Sequence, residues 1–163
     1  MGGAAETHYR LRPGTDVIER HLVLRHTGTA DDEAVTVVRA DSATWVLPRL
    51  GEYRLSQVRG QWSAETQLWR TPLPYGETVT TSRRGTISHQ ANPWAVIDDG
   101  HATEDDGAVW SCALAWSGSR RLTAHGCHRA RHTCSTWRMT ALRPRWSCSG
   151  AHGASATMIP PCP

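Results

Sequence analysis

The chain has 163 residues, enough for one domain with its own core but too few to add an eight-fold β/α barrel of roughly 250 residues. Its net charge of +3 is unevenly spread: all 18 basic residues are Arg and all 15 acidic ones precede Arg121, so the body is near neutral and carries no footprint for nucleic acid. No apolar run approaches the roughly 18 residues of a membrane helix, and Met1 to Glu6 show neither the basic nor the apolar region of a secretory leader. The expectation is a cytoplasmic protein with no membrane partner.

From the start, the first strand signal is at residues 17–26, where Ile18, Leu22 and Leu24 share one parity and Val17, Glu19, His21, Val23 and Arg25 the other. Thr27-Gly28 and Asp31-Asp32 supply a turn, and the β-branched stretch 34–39 rises as the next strand, which predicts an antiparallel hairpin. Further strands are expected at 44–47, 53–61, 63–69, 78–83, 94–97 and 109–116. Between them stand Pro48 to Gly51, Pro72-Leu73-Pro74-Tyr75-Gly76, Asn92-Pro93, Asp98-Asp99-Gly100 and Asp105-Asp106-Gly107. No helical period of useful length precedes residue 120. The pattern predicts an all-β fold, a partial antiparallel β-sandwich over residues 7–121.

From Leu122 the composition changes. Residues 122–163 hold no acidic residue and no Val, but four of the five Cys and four of the nine His. This reads as a disordered C-terminal tail. A GC-rich gene read out of frame gives the same mixture, and the absence of Lys and Phe from the chain points to such a gene. A frame change near residue 120 is the expectation, which the gene sequence across residues 110–163 decides. His125, Cys127, His128, His132, Cys134, Cys148 and Cys162 are zinc-ligand types, but their spacing is long and irregular with no C-x2-C pair, so neither metal nor cofactor is expected.

One loop of the body is dense in chemistry. Ser82 to Trp94 presents Arg83, Arg84, Gly85, Ser88, His89, Gln90, Asn92 and Trp94 between a strand end and a Pro turn. Such a run can bind an anion or sugar hydroxyls, dock onto another domain, or simply cap its own backbone. Trp45, Trp62, Trp69, Trp94, Trp110 and Trp116 can stack on sugars or fill a sandwich core, and the shared parity of Trp110 and Trp116 favours the core for at least one. Asp41, Asp98, Asp99, Asp105 and Asp106 fall in turns or at strand ends, where nothing splits the pKa values of a catalytic pair. Ser88 and His89 are sequence neighbours with no nucleophile elbow around them.

The segment Leu55-Ser56 to Gly60-Gln61-Trp62 resembles the L-S-x-x-x-G-x-W stretch of family 36 α-galactosidases. Arg70-Thr71-Pro72-Leu73 and the Ser82–Pro93 run follow at the family's distances. Next come Glu104 to Trp110, similar to E-H-G-x-V-[WY], and Leu114 to Gly118, similar to L-x-[WY]-S-G. The resemblance covers about residues 9–119. It implies part of the β-supersandwich that precedes the catalytic barrel of a retaining enzyme for terminal α-galactosides, lacking its first and last strands. Both catalytic aspartates of that family belong to the barrel, so no residue here inherits a catalytic role and the chain alone is expected to be inactive. Its implied partners are that barrel and sister subunits, with Arg83 to Trp94 docking or shaping a pocket rim. The alternative is a stand-alone carbohydrate-binding β-sandwich. The family continues Ser-Gly-Asn/Ser with an aromatic residue, whereas this chain has Arg120.

Overall fold

The computed structural model describes residues 3–27, 37, 40–48, 51–83, 90–116, 118–129, 132–141 and 153–159, the last of these from 127 onward as backbone only. Every regular element among them is a strand and every pairing between named strands is antiparallel, as the sequence predicts.

β1 (Gly3–Leu11) and β2 (Ile18–His26) form a hairpin in unbroken register from Gly3↔His26 to Leu11↔Ile18. The structure thus adds a strand ahead of residue 17, where the sequence shows its first strand signal. β1 is an edge strand whose residues are mostly exposed, so it lacks the apolar alternation that would announce it. Most of the stretch 34–39, the expected partner of β2, lies outside the described residues, and Val37 belongs to no strand.

The six strands expected between 44 and 116 form within a few residues of their predicted bounds. They are β3 (Asp41–Leu47), β4 (Arg54–Gln61), β5 (Ala64–Pro72), β6 (Gly76–Ser82), β7 (Trp94–Asp98) and β8 (Val109–Ala115). Three more follow, β9 (Arg120–Arg129), β10 (His132–Ala141) and β11 (Gly153–Ile159). Seven strands make one sheet in the order β1-β2-β11-β8-β7-β4-β5, and four make the other in the order β3-β10-β9-β6.

The core lies between the sheets. Leu55 and Ile97 pair across β4 and β7, Ile97 pairs with Trp110, and Ala95 with Cys112, so one face of the larger sheet is apolar in consecutive rows. Ala43, Leu47, Leu122 and Ala124 complete the same buried cluster from the smaller sheet. Packing therefore continues beyond Arg121, and the residue where composition changes falls inside β9 rather than at its end.

A polar seam borders this core. Gln57 of β4 is buried and its Nε2 donates to Thr80 Oγ1 of β6 at 2.5 Å; Arg59 Nη2 donates to Gln57 Oε1. Buried polar groups persist when they satisfy one another, and here they tie the two sheets together beside the apolar rows.

Candidate functional site

The loop singled out in the sequence leaves the smaller sheet at Ser82 and enters the larger at Trp94. Its later half is fixed by backbone contacts. Asn92 N–H donates to the Val58 carbonyl at 3.4 Å, and Leu114 N–H donates to the Pro93 carbonyl at 2.9 Å. At its other end, Ser82 is buried and pairs with Arg120 in the β6–β9 ladder. A small cavity lies between these anchors, lined by Thr80, Ser82, Ala91, Asn92, Pro93, Leu114, Arg120, Arg121 and Leu122.

Arg120 is the unusual member of that wall. It is 3% exposed, its Nη2 donates to the Ala91 carbonyl, and its Nη1 is buried with no hydrogen-bond partner among the described residues. Loss of hydration disfavours the charged form, so burial lowers its pKa. Arg121 reaches outward instead, 3.6 Å from Glu77, with both side chains well exposed.

Of the residues expected to form the site, Asn92 sits on the cavity wall and Trp94 is half-buried at the start of β7. Arg83 and Gln90 are exposed. Arg84, Gly85, Ser88 and His89 lie outside the described residues. Arg120 was not among the expected site residues. Its only signal in the sequence is that it stands where the resemblance calls for an aromatic ring.

The acidic residues build turns. Asp98 accepts from Arg54 Nε at 3.0 Å and from Gly100 N–H at 2.8 Å. Asp99 accepts from Ala108 N–H at 2.9 Å and His101 N–H at 3.0 Å, and these bonds, that to Ala108 first, hold its pKa below the usual carboxylate value. A glycosidase acid needs the opposite shift.

The Trp set divides. Trp110 is buried and Trp45, Trp94 and Trp116 are half-buried, whereas Trp62 is 88% exposed at the β4–β5 turn and Trp69 57% exposed on β5. At about 3.4 Å per residue, Trp69 lies about 17 Å along β5 from the turn that carries Trp62, too far to sandwich one sugar ring. In the tail, β9 and β10 place Cys127 opposite Cys134 and His128 opposite Thr133 in register. Cys112 is a buried thiol whose pKa is pushed up to about 12 by desolvation, which leaves it unreactive near neutral pH.

The short motifs acquire physical reasons. In Leu55-Ser56 to Gly60-Gln61-Trp62, Leu55 is core, Ser56 is buried, and Gly60 lies where β5 comes closest. In Leu114 to Gly118, Leu114 is core and the Trp116 indole N–H donates to the Ser119 carbonyl at 3.1 Å, so its ring leaves no room for a side chain at Gly118.

Comparison with known proteins agrees with that pattern. The sequence profile of the glycosyl hydrolase family 36 N-terminal domain matches residues 2–138. The bifunctional alpha-galactosidase/sucrose kinase AgaSK of Mediterraneibacter gnavus is 32% identical over 111 residues, covering 68% of this chain and 11% of that protein. A probable alpha-galactosidase G of Emericella nidulans is 29% identical over 116 residues, covering 71% and 15%. Among solved structures, the galactosidase domain of AgaSK superposes with a TM-score of 0.79 at 24% identity, over 96% of this chain and 22% of that one. The alpha-galactosidase AgaA of Geobacillus stearothermophilus gives 0.75 at 22% identity, over 98% and 22%. The chain thus spans about a fifth or less of the length of each of these relatives. Fold, ordered motifs and profile agree that this chain belongs to glycosyl hydrolase family 36 and carries that family's N-terminal domain.

Proposed function

We propose that the chain is the non-catalytic N-terminal part of an α-galactosidase acting on terminal α-galactosides, that it hydrolyses nothing alone, and that it serves by packing on a catalytic barrel and on sister subunits. The observation that carries this is the profile match over residues 2–138 in a chain that spans only 11–15% of its similar full-length relatives. The chemistry of the acidic groups supports it. A retaining glycosidase needs two carboxyls about 5–5.5 Å apart with one kept protonated. Asp98 and Asp99 instead spend their oxygens on Arg54 and on loop N–H groups. In this reading the Arg83–Trp94 loop docks against the barrel or shapes the rim of its pocket.

A second reading, a carbohydrate-binding module, draws support from the exposed rings of Trp62 and Trp69. One experiment separates the two: incubate the purified chain with a chromogenic α-galactoside, and titrate it with raffinose while following Trp fluorescence. No turnover and no saturable fluorescence change is the expected result. Turnover would overturn the proposal, and a saturable change without turnover would install the binding-module reading in its place.

A further inference from the structure

A guanidinium lies inside the sandwich beside the Ser82–Trp94 loop without a counter-charge among the described residues. Arg120 is 3% exposed on the wall of the cavity between the end of β6 and the start of β7. One terminal nitrogen is satisfied by the Ala91 carbonyl, while Nη1 is buried and finds no acceptor among the described residues. A buried ion is costly unless it is both paired and hydrogen-bonded. No carboxylate lines the cavity among the described residues, and Arg121, which borders it, turns its guanidinium outward toward Glu77.

The remaining wall fits an anion of one kind. Thr80, Ser82 and Asn92 bring hydroxyl and amide groups, and Pro93, Leu114 and Leu122 close the rest with apolar surface. The space admits the centre of a water-sized sphere over only about 10 Å³. That small, partly open space suits a single small ion rather than a sugar ring. A halide is larger than water, which the open side of the pocket allows, and it accepts hydrogen bonds from any direction.

We propose that this cavity binds a single monatomic anion, chloride under ordinary conditions, which accepts from Arg120 Nη1 and neutralises the buried guanidinium. The site belongs to this chain and is independent of α-galactoside chemistry. Anything that binds only the folded state raises its stability by mass action, and this gives the test.

The full chain is unfolded by heat in sodium gluconate at fixed ionic strength, with chloride or bromide replacing gluconate stepwise. The expected result is a saturable rise of several degrees in the midpoint, absent from Arg120→Met. Coincident curves in chloride and gluconate would overturn the proposal, as would an equal rise in Arg120→Met. Should that variant fail to fold, the chloride-35 NMR line of the unsubstituted chain decides. Excess width that bromide competes away, and that vanishes on unfolding in urea, supports the site. A line no broader than in buffer means that water alone fills the cavity, and the proposal fails.

Discussion

A methyl group added at Gly60 would stand 2.6 Å from the Ala64 carbonyl oxygen and 2.6 Å from Glu65 Cα, both backbone atoms that cannot step aside without reshaping the β4–β5 hairpin. The register there already shifts between Arg59 and Gln61. Gly60→Ala should therefore cost about 2 kcal/mol or more, as overpacking against backbone does, read as a lower urea midpoint at unchanged slope. Asp99 supplies a pH dependence. Its folded pKa is lowered by the Ala108 and His101 N–H groups, so the unfolded chain binds a proton more readily than the folded one. Its contribution is complete above the unfolded value of about 3.9 and is lost as pH falls through the lower folded value. Thermal midpoints followed from about pH 5 to about pH 3 should fall more for the unsubstituted chain than for Asp99→Asn. At this scale the sequence was partly legible. Gly60 and Gly118 stand out within short motifs, but the contacts that require glycine come from β5 and from a Trp ring, which spacing alone does not place. Arg120 was legible only as a mismatch, because its burial depends on Ala91, far away in the chain.

Strands in the middle of the sandwich announce themselves and strands at its margin do not. β7 and β8 read as strands because Ala95, Ile97, Trp110, Cys112 and Leu114 alternate into the core. β1 has one neighbour and mostly exposed residues, so hydrogen bonding rather than burial makes it a strand. β9 was hidden differently. Leu122 and Ala124 alternate inward, but an Arg- and His-rich composition around them drowns the period. The pairing of β11 with both β2 and β8 has a testable consequence. Among the described residues, the β1–β2 hairpin joins the larger sheet by hydrogen bonds only through β11. A chain ending after Ala141 should keep amide protection in β4 and β7 and lose it along the two edges that β11 covers, Ile18 to Val23 of β2 and Ser111 to Ala115 of β8, as hydrogen exchange measures.

For the whole molecule, the all-β class, the antiparallel pairing and the family could be read from strand periods and three ordered motifs. The assignment of strands to the two sheets could not, since it depends on which distant strands become neighbours. β4 meets β7 through Arg54↔Asp98, and β2 meets β11 through Val23↔Gly153, both across long stretches of chain. The second pairing also sets an order in time. The β1–β2 hairpin leaves the ribosome with one edge open, and the strand that covers it follows only at Gly153. Until Gly153 arrives, that edge can pair with any extended segment nearby, including the same edge of another nascent chain. Closing so long a loop is slow compared with hairpin formation, so the interval is paced by synthesis and loop closure rather than by local structure.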